Sequence, residues 1–151
     1  PESGAIIDYI IGKYGNGRLS VPPSSPEFSN YVFWFHFANA SLMPNMMLPM
    51  AFQFAGASGD HVPALKSLMS RKDSAFALIE KRLGDAPYFA GKEFTAADII
   101  MLFPLTTMRN FCAVDLTHFP NLRAYLKRIG ERPAYQRAMA KGDPEMKPNL
   151  G

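Results

Sequence analysis

Phe94-Thr95-Ala96-Ala97-Asp98-Ile99 decides how this chain is read. The Thr95 side chain can accept from the backbone N–H of Asp98, and the Asp98 carboxylate can reach back to the N–H of Thr95. Phe94 and Ile99 stand at the two ends of a hydrophobic staple. Both devices begin a helix, so one is predicted from Ala96 to about Arg109. No residue between Ile99 and Met108 is charged. That helix is therefore expected to be buried nearly all round, at the centre of a bundle.

The neighbouring segments supply the rest of the bundle. A helix is predicted from Pro63 to Leu83, with Leu65, Leu68, Met69, Phe76, Ile79 and Leu83 on one stripe, Glu80 and Lys81 off it, and Gly84 as its stop. Gly56 to Asp60 reads as the loop before it. Pro26, after Ser25 and before Glu27, suits the first residue of another helix. In that helix Tyr31, Val32, Phe33, Trp34, Phe35 and Phe37 are too dense for one covered face. Pro44 and Pro49 predict a bend between Leu42 and Met50. Met43, Met46, Met47 and Met50 crowd that bend, and they suit either gap-filling core or a permissive apolar binding wall.

Ile6, Ile7, Ile10 and Tyr14 repeat at helical spacing over Ser3 to Tyr14, with Ser3 as N-cap and Gly15 as a left-handed stop. Asn16 to Ser25 has a connector's composition. Downstream, Pro120 opens a helix carrying Leu122, Tyr125, Leu126 and Ile129 on one face, and Pro133 opens another that ends at Gly142. No run alternates as a strand would, so the fold class is all-α.

Composition narrows the function classes. With 151 residues, 48% hydrophobic and 19% charged, the chain fits one globular domain of ordinary size. The lone Cys112 excludes an internal disulfide framework. Lys plus Arg (16) exceed Asp plus Glu (13) by three, an excess that by itself argues for no partner. The chain opens on Pro1 without a signal-peptide pattern, and so reads as a processed product or a fragment. Residues 28–59 carry no charge, but Asn30, His36, Asn39, Pro44 and Gln53 interrupt them too often for a membrane span.

His36, His61 and His118 stand apart from one another and from Cys112, so no metal is expected. Gly15-Asn16-Gly17 follows a helix rather than a strand, and is a turn rather than a dinucleotide fingerprint. Asn39-Ala40-Ser41 matches a glycosylation acceptor by chance. Arg123, Lys127, Arg128, Arg132, Arg137 and Lys141 outnumber the single Glu131 between Pro120 and Lys141, but Arg123 and Lys127 fall opposite the Leu122, Leu126 and Ile129 stripe, as a solvated helix face should, and no aromatics interleave, which argues against nucleic acid. Glu2-Ser3 is different in kind. A helix N-terminus and a hydroxyl can bind a carboxylate while the adjacent acid takes an ammonium, as an amino-acid zwitterion requires.

Glu2-Ser3-Gly4-Ala5-Ile6, then Tyr9-Ile10 and a Gly-rich exit, resembles the end of the thioredoxin-like domain of cytosolic glutathione transferases. Phe89-Ala90-Gly91 with Phe94 to Ile99 is similar to that family's capping box and staple. Trp34 to Pro44 resembles its fungal and bacterial members. The resemblance covers essentially the whole chain. It implies that residues 1–15 are the last helix of the thioredoxin-like domain, 16–25 an interdomain linker, and 26–151 a helical C-terminal domain. It further implies a cytoplasmic homodimer acting in detoxification. Glu2 and Ser3 would hold glutathione, and Phe35, Asn39, Met43 and Met108 would wall a hydrophobic electrophile. Thr95 and Asp98 would be structural.

Glutathione is then a substrate, and no cofactor is implied. The family's activating residue lies upstream of the matching segment, so no catalytic residue is assigned in this chain, which is expected to be inactive alone. Asn39 departs from the acid more often met there, which bears on substrate preference. The alternative is a non-catalytic transferase-like scaffold, as on the gamma subunit of a translation elongation factor.

Overall fold

The computed structural model describes residues 2–56 and 63–151, and no strand occurs among them. Its helices are α1 (Ser3–Lys13), α2 (Phe28–Phe37), α3 (Met43–Phe54), α4 (Pro63–Asp85), α5 (Ala96–Leu105), α6 (Pro120–Gly130) and α7 (Pro133–Gly142). Residues 57–60 of the expected loop, and His61, lie outside the described residues.

The α5 start is built as the sequence predicts. Both arms of the capping box are present, and the Thr95 N–H donates to Asp98 Oδ2 at 2.8 Å. Asp98 does more than cap. Its Oδ1 also accepts the Phe89 N–H at 3.0 Å and the Tyr125 hydroxyl at 3.2 Å, so one fully buried carboxylate ties α5 to the 86–95 loop and to α6. Burial pushes this carboxyl above its ordinary range, and the four hydrogen bonds donated to it pull the other way. Around it lies the core: Trp34, Leu42, Met46, Phe76, Ile79, Phe89, Met101, Leu105, Leu122 and Ile129.

Several expectations need correction. Ser3 is the first helical residue rather than the N-cap, which is Glu2 in a left-handed conformation (φ 61°). The left-handed stop after α1 falls at Asn16 and Gly17 (φ 48° and 76°), not at Gly15. Gly15 instead donates back to Ile10 and Ile11, and a Cβ there would lie 2.9 Å from the Ile11 carbonyl oxygen. The helix expected from Pro26 begins at Phe28, because Ser25 and Pro26 form a turn in which the Ser25 hydroxyl accepts the Glu27 N–H at 3.2 Å. Glu27 spends its carboxylate on the Lys92 N–H rather than on its own helix end.

The helix predicted to reach Arg109 stops at Leu105. Pro104 withholds a backbone donor near its end, the Thr106 hydroxyl donates back to the Leu102 carbonyl at 2.6 Å, and a short 3₁₀ turn (Thr107–Asn110) follows. Nor is α5 covered all round: Ile99 is 36% and Phe103 51% exposed, one turn apart on a single face. Among the described residues this stripe is left only partly covered.

A device that the sequence does not announce starts α6. Phe119 occupies its N-cap and has no polar side chain to offer. Glu80, on α4, supplies the cap from 41 and 42 residues away, accepting the N–H groups of Asn121 and Leu122, each at 2.9 Å.

Candidate functional site

The bend expected between Leu42 and Met50 is not found there: α3 runs from Met43 to Phe54 with Pro49 inside it, and the departure from α-helical geometry lies just before, in a five-residue π-helical segment, Ala38–Leu42. That segment ends in a bond from the Met43 N–H to the Ala38 carbonyl, and Pro44, which has no N–H to give, stands just beyond it. The extra residue per turn rotates Asn39 out of the core register, where its neighbours Ala38 and Leu42 are fully buried. Asn39 thereby meets α1, and its Nδ2 donates to Ser3 Oγ at 3.2 Å.

That contact marks the polar end of a cleft of about 600 Å³ between α1, the π-helical segment and α5. Glu2, Ser3 and Asn39 form the polar end. The apolar side comprises Ile6 and Ile7 of α1, Met43, and Ile99, Ile100, Phe103 and Pro104 of α5. The first intrahelical bond of α1 runs from the Ile6 N–H to the Glu2 carbonyl at 3.1 Å, so the N–H groups of Ser3, Gly4 and Ala5 stand outside the helical ladder. They give this end of the cleft a positive dipole. Because the Asn39 amide donates to Ser3 Oγ, the serine proton remains available to donate onward. The left-handed backbone at Glu2, costly for a residue with a Cβ, lies beside these groups.

Of the residues expected around the site, the structure brings Glu2, Ser3, Asn39 and Met43 together. Phe35 and Met108 are buried in the core and do not line the cleft. Phe35 instead packs near Gly4, where a Cβ would lie 3.6 Å from its ring. Among the bend methionines only Met46 is fully buried; Met47 is exposed. The apolar α5 residues Ile99 and Phe103 went unassigned in the sequence, where their lack of charge read as core.

The polar groups of the cleft are a carboxylate, a hydroxyl and an amide, and among the described residues no Cys, His, Tyr or Lys lines it. Cys112 is half-buried elsewhere, with Sγ 3.5 Å from the Met46 carbonyl. No group of three His, Cys, Asp or Glu among the described residues could hold a metal, and no helix is long and apolar enough to cross a membrane. Two arginines of the basic run between Pro120 and Lys141 are engaged locally. Arg128 donates to the Pro87 carbonyl at 2.7 Å, and Arg132 stacks on Phe94, 3.8 Å from its ring centre.

Residues 42–133 match the family model described as glutathione S-transferase, C-terminal domain. The chain belongs to this family. A relative named glutathione S-transferase 3, from Schizosaccharomyces pombe, is 30% identical over 93% of this chain and 62% of its own length. The chain thus spans about three fifths of the length of that relative. Among solved structures, a glutathione S-transferase from Actinobacillus pleuropneumoniae superposes with a TM-score of 0.80 at 26% identity, covering 99% of this chain and 69% of that one. An Escherichia coli relative 27% identical over 93% of this chain and 63% of its own is named a disulfide-bond oxidoreductase. Relatives of this domain therefore carry more than one named activity.

Proposed function

We propose that this chain is the helical part of a glutathione transferase, contributing one end of the glutathione site and the wall against which a hydrophobic electrophile lies. The observation that carries the reading is the cleft itself. A hydroxyl, an amide, a carboxylate and an open helix N-terminus converge at one end, and a partly covered Ile99–Phe103 stripe forms the other side. Ser3 and the α1 N-terminus would receive the γ-glutamyl carboxylate, and Glu2 its ammonium. The thiol would reach toward the apolar wall, where Met43 and Phe103 replace water around the acceptor.

In the reaction so supported, the glutathione thiolate attacks an electrophilic carbon, a C–S bond forms, and the leaving group departs with its electron pair. The group that activates the thiol would come from a thioredoxin-like domain, with residues 1–15 as that domain's last helix and 16–25 as the linker. This chain's share is positioning and desolvation. We place the enzyme in the cytoplasm as a homodimer acting on foreign electrophiles. The exposed Phe33 and Leu78 flanking a groove between α2 and α4 support self-association.

The test is Ser3→Ala in a protein that joins this chain to a thioredoxin-like domain. Glutathione affinity should fall about tenfold, the scale of one charge-assisted hydrogen bond. The Asn39 bond to Ser3 is exposed, so stability should stay within about 1 kcal/mol. Unchanged affinity would remove Ser3 from the site.

A further inference from the structure

A second cavity, of about 270 Å³, lies beside the cleft along α5, between α5, α7 and the Arg18–Leu19 connector, and shares Ile99 with it. We propose that it binds a small aromatic carboxylate. Its interior is apolar, with Ile99, Leu102 and Ile129 as floor, and no acidic residue lines it. Two arginines do. Arg132 makes a cation–π contact with Phe94, its guanidinium carbon 3.8 Å from the ring centre. Arg18, exposed at the cavity, precedes Leu19 in a connector whose backbone is tied down: Leu19 adopts φ 74°, and its carbonyl accepts the N–H of Ala96, the first residue of α5, at 2.8 Å. Among the described residues, no carboxylate pairs with either arginine.

Charge and size together choose the occupant. Two guanidinium groups without a carboxylate partner among the described residues, beside apolar side chains, call for an anion attached to a hydrophobic body, and the planar fork of arginine matches a carboxylate. Ligand pockets usually begin at about 300 Å³, so this one has room for one or two rings rather than an extended chain. The far wall is α7, which has no fully buried residue and presents Ala134 and Ala138.

The experiment needs neither glutathione nor any other domain, and so stands apart from the function proposed above. The full chain is titrated calorimetrically with naphthalene-2-carboxylate and with its neutral amide. The acid should bind with a dissociation constant below about 1 mM, which ordinary ligand efficiency gives for about a dozen heavy atoms. The amide should bind at least tenfold more weakly. Arg18→Gln with Arg132→Gln should bring acid and amide to the same affinity. Ala138→Phe, on the exposed face of α7, should fill the cavity and abolish binding of both. Equal affinity of acid and amide for the parent chain, no binding at 1 mM, or parent-like binding by Ala138→Phe would overturn the proposal. Should Ala138→Phe disturb the fold, the acid-to-amide ratio in the double glutamine variant decides alone.

Discussion

Replacing Asp98 by alanine tests the account of the core most directly. The substitution removes the acceptor for the Phe89 N–H, the Thr95 N–H and the Tyr125 hydroxyl, and all three donors sit in residues that are at most 4% exposed. Each buried donor left without a partner costs about 1–3 kcal/mol. The sum is offset because alanine no longer pays to desolvate a carboxylate, itself several kcal/mol. The expected net loss is about 3–5 kcal/mol, a large share of the roughly 5–15 kcal/mol that holds an ordinary domain. Urea unfolding followed by circular dichroism measures it, with an unchanged slope showing that only the native state is affected.

The pH dependence of the same difference has a defined sign. Burial holds the folded carboxyl above its ordinary value of 3.8, so the folded chain keeps a proton that the unfolded chain has already lost. Asp98's contribution is therefore complete below 3.8 and falls as pH rises through the folded value, and the gap between parent and Asp98→Ala should be wider at pH 4 than at pH 7. A variant within about 0.5 kcal/mol of the parent, the range of ordinary surface substitutions, would refute the argument. If the variant is too unstable to titrate, Tyr125→Phe removes one of the same bonds and should cost about 1 kcal/mol.

Other substitutions probe single links. Glu80→Ala should destabilise by about 1–2 kcal/mol, the scale of a lost helix cap with its charge, and Glu80→Gln by less, in the same unfolding assay. Thr95→Ala should cost about 1 kcal/mol through the capping box, also read from the urea midpoint. A Cβ at Gly91 would collide with the Glu27 carboxylate that receives the Lys92 N–H, so Gly91→Ala and Glu27→Ala should break one and the same contact. Their double variant should then be less destabilised than the two single changes added together, and simple additivity would separate them.

How far each feature could be read from sequence follows from how local its physics is. The capping box spans four residues and depends on no other part of the chain, so Thr95 and Asp98 were legible with their roles. The Glu80 cap of α6 was not. Its partners lie 41 and 42 residues away, and a glutamate off an apolar stripe looks like any solvated charge. Glu2-Ser3 was legible as a pair at a helix start, but its neighbour Asn39 is 36 residues on and reaches Ser3 only through the π-helical register that precedes Pro44. Phe35 was misplaced for the same reason: on a straight helix it shares a face with Asn39, whereas here it is buried while Asn39 faces the cleft.

Ile99 and Phe103 show where hydrophobic patterning stops being informative. An unbroken apolar segment states that every face of a helix is poorly suited to water; it does not state what keeps the water away. For Ile100, Met101 and Leu105 the answer is the core of this chain, and they are at most 5% exposed. For Ile99 and Phe103 the elements among the described residues supply it only in part, yet these positions carry side chains as apolar as the buried ones. Ligand pockets are lined in the same way, by apolar side chains with a few convergent polar groups. The Ser3–Asn39 pair provides those groups at the adjoining end of the cleft. The difference between core and wall therefore rests on this polar pair, 36 residues apart in sequence and brought to one place by the π-helical register at Ala38–Leu42.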